Sequence, residues 1–320
     1  MITPSQLQAG IVIPVDKPRQ WTSFQAVNKI KATIRKVLSQ LPTANCQLPT
    51  KDATQNSVSQ LSTANCQLPT KFKIGHAGTL DPLASGLLLV CVGKATKTIP
   101  QLQDGDKIYT GTIVFGATTP CYDLERPVDH YYPYEHITPE LLDETVRQFT
   151  GTILQVPPMF SAVKIAGQRA YDLARSEVGR MRYEEAASDL QPPTSDLIKP
   201  KPVNVYSFEI TAFRYARSEV GGMRYEADDS ELQPKQTSDL RPPTSHLYQN
   251  PLGSVPPHLP QADFRIHCGK GTYIRSLARD LGQALGSGAF LSSLRREKIG
   301  DYTINQAIKL DDIQQFLTSL

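Results

Sequence analysis

The segment QLPTANCQLPTK spans Gln40–Lys51 and returns as QLSTANCQLPTK at Gln60–Lys71, with Pro42 exchanged for Ser62. A second duplication pairs ARSEVGRMRYE from Ala174 with ARSEVGGMRYE from Ala216, and DLQPPTSDL from Asp189 with DLRPPTSHL from Asp239. A solenoid needs roughly three or more stacked copies with apolar faces. Here each unit occurs twice and is rich in Pro, Gln, Ser and Thr. That composition buries too little apolar surface to offset the entropy of ordering. The duplicated stretches are therefore read as three mobile insertions, near 40–70, 176–199 and 216–260, and the fold must be built from what lies between them. They lack basic-aromatic clusters, so no nucleic-acid contact is assigned to them.

Between the insertions the periodicities are clear. WTSFQAVNKIKATIRKVL places Phe24, Val27, Ile30, Ile34, Val37 and Leu38 three or four apart, which predicts a helix. Thr22 and Gln25 have capping-box spacing at its start. Lys29, Lys31, Arg35 and Lys36 lie largely off the apolar stripe. GLLLVCVG reads as a buried strand, and KIYTGTIVFGA as a strand with Tyr109, Gly111, Ile113 and Phe115 on one face. TPELLDETVRQFTG is a helix with Thr138 as N-cap, Pro139 in its first turn and Gly151 after its end. KPVNVYSFEITAF and ADFRIHCGK are further strands. GTYIRSLARDLGQALG is a helix stopped by Gly286. Strands often follow one another without a regular helix between them, which indicates an α+β fold with a mixed, mostly antiparallel sheet.

The net charge of +3 says little until it is divided. Asp172–Arg241 holds 13 acidic and 10 basic residues, a balance of −3, so the rest carries +6. Phe264–Gly300 alone has seven basic residues against two acidic. A basic core suits a polyanion such as RNA. Five cysteines without a C-x-x-C pair argue against a zinc site or a disulfide scaffold, and the scattered histidines form no metal cluster. The start, MITPSQLQAG, has no signal-peptide pattern, and the longest apolar run, LLLVCV, is too short to span a bilayer. A soluble cytoplasmic protein is expected.

Three short stretches carry chemistry. GHAGTLDPLASG, Gly75–Gly86, holds a lone carboxylate, Asp81, held away from helix by Pro82. It is either a turn-forming Asp-Pro or a carboxylate at the rim of a cleft. GKGTYIR, Gly269–Arg275, brings Tyr273 and Arg275 to a helix start, where an arginine can pair with a carboxylate or a phosphate. LRREK, Leu294–Lys298, reads first as a solvated charge run. GLLLVCVGKAT is not a P-loop, because Leu88 and Ala95 stand where that motif needs Gly and Ser/Thr.

Taken together these segments resemble the TruB family of tRNA pseudouridine synthases. The resemblance rests on VDKPRQWTS, GHAGTLDPLASGLLLVCVGKATK, PPMFSAVKIAGQRAYDLAR, HCGKGTYIRSLARDLG and GAFLSSLRR, in the family's order. It implies the pseudouridine synthase fold over residues 8–317, with a central RNA-binding cleft and no C-terminal PUA domain. It implies isomerisation of uridine 55 in the tRNA T-loop, without cofactor or metal, by a monomer that contacts the T-loop and stem. Asp81 would be the catalytic aspartate, as nucleophile or as base, and Arg275 would hold it charged. Tyr109 would stack on the target base, Tyr273 would sit beside it, and Leu294 would pack the pocket. His76 would enter the T-loop stack as the target base flips out. Lys17 and Pro18 would shape the site. Lys17, Lys270, Arg295 and Arg296 are counted with the basic residues that contact RNA.

Two departures stand out. Gln20 replaces a usual glycine, and in GATTPCYDLER Pro120, Cys121 and Arg126 replace the usual Asp, Thr and Gly while Asp123 remains. These leave open a second reading, a non-catalytic tRNA-binding or tRNA-folding protein. A metal-free hydrolase built on Asp81 lacks a partner acid or histidine in a comparable motif.

Overall fold

The computed structural model describes residues 2–40, 72–158, 164–165, 168–169, 199–215 and 254–320. The proposed insertions fall almost wholly outside the described residues. The chain divides into two compact units: Met1–Thr110 with Ile266–Gly271 and Leu294–Leu320, and Gly111–Arg265 with Thr272–Ser293.

In the first unit, α1 (Pro4–Ala9) leads into β1 (Ile11–Lys17) and α2 (Ser23–Ser39). β2 (Ile74–Ala77), β3 (Ser85–Val92) and α3 (Ile99–Asp104) follow. The strand order is β14-β1-β3-β12-β4, where β4 is Lys107–Phe115, β12 Ala289–Ile299 and β14 Ile308–Lys309. β1 runs antiparallel to β3 and parallel to β14, β12 runs parallel to β3, and β13 (Tyr302–Thr303) pairs antiparallel with β12, so the sheet is mixed.

β3 is an unbroken apolar run because both its faces are covered. Leu88, Val90 and Val92 point into a core with Ile13, Val15, Ala26, Ile30, Ile34 and Val37. The C-terminal helix α6 (Ile313–Ser319) closes that core with Ile313 and Leu317. Leu87 and Leu89 alternate to the opposite face, against Ala77 and Ile299. Each such side chain contributes about 1.5–3 kcal/mol through burial.

α2 begins at the capping box expected from Thr22 and Gln25: the Thr22 side chain accepts from the Gln25 amide, and the Gln25 side chain accepts from that of Thr22. One member of the expected apolar stripe departs from it. Phe24 is 70% exposed, and Ser23 and Ala26 occupy the inward positions instead. Counting back from Val27 by three gives Phe24 and by four gives Ser23, and the fold uses the second.

The second unit is ordered β4-β11-β10-β7, with β7 at Gly151–Gln155, β10 at Lys201–Arg214 and β11 at Gln261–Cys268. It also holds the short strands β5 (Ala117–Thr118) and β6 (His130–Tyr131), paired with each other, and likewise β8 (Lys164–Ile165) and β9 (Gln168–Arg169). Phe208 and Phe264 meet edge to face at 6.1 Å between ring centroids. Gly111 lies where a Cβ would come within 2.3 Å of the Ser293 carbonyl oxygen, which accounts for glycine inside a strand.

α4 (Pro139–Arg147) has the expected Thr138 cap, but it ends at Gln148, not at Gly151. Gly151 instead opens β7 with a φ of 87°. α5 (Ile274–Ala284) ends as its sequence indicates. Gly286, at φ 66°, donates to the Gln283 carbonyl, and Ser287 donates to that of Gly282, a Schellman motif.

Candidate active site

Asp81 lies in the first unit, on the loop between β2 and β3. Residues from two separate parts of the chain, 17–23 and Arg296, hold that loop by its backbone. Ser23 Oγ both donates to the Leu80 carbonyl, at 3.1 Å, and accepts from the Leu80 amide, at 2.9 Å. The Gln20 amide donates to the Pro82 carbonyl at 2.7 Å. Arg296 donates from Nη2 to Gly78 O at 3.1 Å, from Nη1 to Thr79 O at 3.5 Å and from Nε to Leu87 O at 2.8 Å. A tight turn completes the loop, with the Ala84 amide on the Asp81 carbonyl at 3.1 Å.

Lys17 closes the loop from beneath. Its side chain is fully buried, and Nζ donates to Trp21 O at 2.6 Å, Pro18 O at 3.0 Å and Pro82 O at 3.5 Å. Burial pulls its pKa down to about 8; the neighbouring Asp81 charge works against that fall and Arg296 with it. Tyr109, on β4, is buried and hydrogen-bonded to Arg296; burial raises its phenol pKa and Asp81 adds to the rise. His76, on β2, is half-buried, and burial lowers its pKa, which favours the neutral ring. Its Nδ1 is buried with no hydrogen-bond partner among the described residues.

Two of the basic residues expected to contact RNA stand elsewhere. Arg296 is 2% exposed and Lys17 fully buried, so neither presents its charge at the surface. Both bind the backbone of the Asp81 loop, and for Arg296 this also replaces the reading of LRREK as a solvated run. Arg295 is partly exposed and forms a two-pronged pair with Asp16, at 2.9 and 3.1 Å. Lys270 is exposed and pairs with Asp104 at 2.6 Å. Leu294 is partly buried at the point where β12 enters the first unit.

Tyr273 and Arg275 belong to the second unit. Tyr273 precedes α5, and the Gln155 side chain grips its backbone on both sides, accepting from its amide at 2.7 Å and donating to its carbonyl at 3.0 Å. Arg275 is buried. It donates to the Cys121 carbonyl at 3.1 Å and lies 3.7 Å from the Asp123 carboxylate. Asp123 is held in turn: its carbonyl accepts from Thr119 Oγ1 at 2.7 Å and from Cys121 Sγ at 3.4 Å, and its carboxylate accepts from the Glu125 amide at 2.9 Å. Cys121 therefore donates where the family pattern has a threonine hydroxyl, and Arg126 is exposed. Next to them Tyr122 has a φ of 60°, with the Arg279 guanidinium 5.1 Å from its ring centroid.

Sequence reasoning missed Ser23, Gln155 and the loop-holding role of Arg296. Each acts through hydrogen bonds to residues more than 50 positions away, for which a local pattern gives no signal.

The family model "TruB family pseudouridylate synthase (N terminal domain)" matches residues 65–191, and "tRNA pseudouridylate synthase B C-terminal domain" matches 275–319. A protein of Flavobacterium johnsoniae named tRNA pseudouridine synthase B is 40% identical over 320 residues, covering 100% of both chains. The chain belongs to the TruB family. A namesake from Phocaeicola vulgatus is 34% identical across 96% of this chain and 93% of its own. The TruB fold is also met in a crystal structure titled as a Cbf5-Nop10-Gar1 complex, with a TM-score of 0.51 and 22% identity over 98% of this chain and 55% of that one. Among the described residues of this TruB member, no group of three or more His, Cys, Asp or Glu is placed to hold a metal ion, and no helix is long and apolar enough to cross a membrane.

Proposed function

We propose that this protein isomerises uridine to pseudouridine at position 55 in the T-loop of tRNA, with Asp81 as the acting carboxylate. The full-length match to relatives named tRNA pseudouridine synthase B supports the reaction class. The observation that carries the residue assignment is the Asp81 loop, whose backbone is gripped by Ser23, Gln20, Arg296 and Lys17. A carboxylate fixed in this way is pre-organised to meet one atom of a flipped-out nucleoside.

The reaction balances internally. The C1′–N1 bond breaks, the uracil turns, C5 bonds to C1′, the C5 proton leaves and N1 takes up a proton. Nothing is oxidised or reduced, so no electron carrier is needed. Asp81, as the carboxylate, either attacks C1′ and is displaced when C5 bonds there, or takes the C2′ proton and returns it once C5 has bonded to C1′. Tyr109 stacks on the target base, and Tyr273 stands beside it. Arg275, held by Asp123 and the Cys121 carbonyl within the second unit, is the proposed source of positive charge for the reaction. His76, neutral and half-buried, enters the T-loop stack. Leu294 packs the pocket, and Lys270 and Arg295 contact the RNA backbone. The protein works as a monomer on tRNA in the cytoplasm.

A tRNA transcript tritiated at uridine C5 tests this, because forming the C5–C1′ bond releases that hydrogen to water. Release is expected from the wild type, and loss of at least a thousandfold in rate from Asp81→Asn. Release that survives Asp81→Asn overturns the assignment. Tight binding without release by the wild type favours a tRNA-folding role instead.

A further inference from the structure

The exposed face of α2 is not used by the catalytic reading. The helix carries Lys29, Lys31, Arg35 and Lys36 and no acidic residue. Lys29, Arg35 and Lys36 are exposed and Lys31 partly so. Phe24, Asn28, Lys31 and Arg35 recur at steps of four, three and four, which puts them on one line along the helix. That line runs roughly 16 Å at 1.5 Å per residue. Its first member is Phe24, a phenylalanine 70% exposed in a helix that otherwise buries its large apolar side chains.

The position of this line gives it meaning. Phe24 follows Ser23, whose hydroxyl is doubly bonded to Leu80, the neighbour of Asp81. Exposed Arg19 and Gln20 precede it, and the Gln20 amide is bonded to Pro82 on the other side of Asp81. The N-terminus of α2 is thus attached to the loop that bears the carboxylate, and the cations lead away from it. An RNA held at Asp81 meets first an aromatic face and then a run of positive charge. Stacking platforms joined to basic tracks are how proteins hold nucleic-acid strands without reading their sequence.

We infer that the exposed face of α2 is a binding surface for the tRNA substrate. Phe24 stacks on a base that is unpaired in the bound RNA, and Lys31 and Arg35, on the same line, run along the phosphates. This rests on the tRNA-modifying reading above and adds a contact surface to it.

The test is equilibrium binding of an unmodified tRNA transcript to the full chain across a salt series. Phe24→Ala is expected to raise Kd at least fivefold with the slope of log Kd against log salt unchanged, and Phe24→Trp to restore it. The double variant Lys31→Gln, Arg35→Gln is expected to lower that slope by about 1.4–1.8, since each phosphate contact contributes about 0.7–0.9. A control that removes the same charge elsewhere, Lys94→Gln, Lys309→Gln, should keep the wild-type slope. Unchanged Kd with Phe24→Ala, or equal slopes for the two double variants, overturns the inference. The substituted side chains are exposed or, for Lys31, partly so, and unchanged melting temperatures confirm that folding is not being read. Absence of tritium release by the wild type would defeat the catalytic reading instead, and the two failures are distinguishable.

Discussion

Two loops hold their key carboxylates by different means. Around Asp81 the loop is gripped from outside: side chains from β1, α2 and β12 bind the carbonyls of Gly78, Thr79, Leu80 and Pro82. Around Asp123 the loop is also gripped by its own members, with Thr119 and Cys121 donating to the Asp123 carbonyl and the Glu125 amide to its carboxylate, while Arg275 and the Leu291 amide add bonds from outside to the Cys121 and Tyr122 carbonyls. A loop held through its backbone can keep small, apolar side chains and leave one carboxylate for chemistry. A loop held by its own side chains must conserve donors, though not the residues that supply them. This accounts for the exchange at Cys121, which supplies a donor where the family pattern has threonine, and nothing in the structure explains those at Pro120 and Arg126.

The largest effect that would break this contrast is at Arg296. Arg296→Met removes the donors to the buried Leu87 carbonyl and the part-buried Gly78 and Thr79 carbonyls, and the partner of Tyr109. A buried orphaned acceptor costs about 1–3 kcal/mol and one within reach of water less, so a loss of about 2 kcal/mol or more in urea unfolding is expected. A loss under about 1 kcal/mol would mean that the loop holds itself, as the Asp123 loop does in part.

Lys17 gives a second test, through pH. Its folded pKa of about 8 lies below the usual 10.5, so between these values the unfolded chain binds more protons than the folded one. The charged form is the one penalised. That penalty, roughly 3 kcal/mol at 1.36 kcal/mol per pH unit, is present below pH 8 and fades as pH rises to 10.5. The stability of wild type relative to Lys17→Met should therefore increase between pH 8 and 10.5. A flat difference would show that Lys17 keeps an ordinary pKa and that its three carbonyl partners compensate for burial.

These tests also mark what the sequence made legible. The capping box at Thr22, the buried strand at Ser85–Val92 and the helix stop at Gly286 are set by interactions within a few residues, and local patterns recover them. Asp81, Tyr109, Tyr273 and Arg275 were picked out by resemblance, since an Asp-Pro loop or a Gly-Lys-Gly turn has innocent uses. What could not be read was the direction of side chains whose partners are remote. Phe24 fits the helical stripe, yet Ser23 takes the inward place because Leu80 needs its hydroxyl. Arg296 sits in a charged run, yet it is drawn inside by carbonyls more than 200 residues away. Gly151 follows a helix, yet it serves the next strand.

A smaller effect sharpens the comparison at Gln20. It has a φ of 69°, in the region that favours glycine, at the position where the family pattern has glycine. Left-handed backbone costs a residue with a Cβ about 1–2 kcal/mol, and the extra freedom of glycine in the unfolded chain returns about 0.4–1 kcal/mol of that. Gln20→Gly should stabilise by roughly 0.5–1 kcal/mol in denaturant unfolding, with the Pro82 contact kept because it uses the Gln20 amide. Destabilisation would show that the Gln20 side chain itself helps to hold the loop.

The smallest expected change lies in the other loop, at Cys121. The thiol is fully buried, donates weakly to the Asp123 carbonyl at 3.4 Å, and has its pKa raised mainly by burial, so it is an inert donor and not a nucleophile. Threonine offers a stronger hydroxyl donor of similar volume, and the carbonyl already accepts from Thr119 at 2.7 Å. Cys121→Thr should therefore change stability by less than about 1 kcal/mol, whereas Cys121→Ala, which empties the site, should cost about 1–2 kcal/mol. If Thr proves as costly as Ala, the shape of the sulfur rather than its donor role decides the site. The Asp123 loop would then be held by packing, and the contrast with the backbone-gripped Asp81 loop would have to be redrawn in those terms.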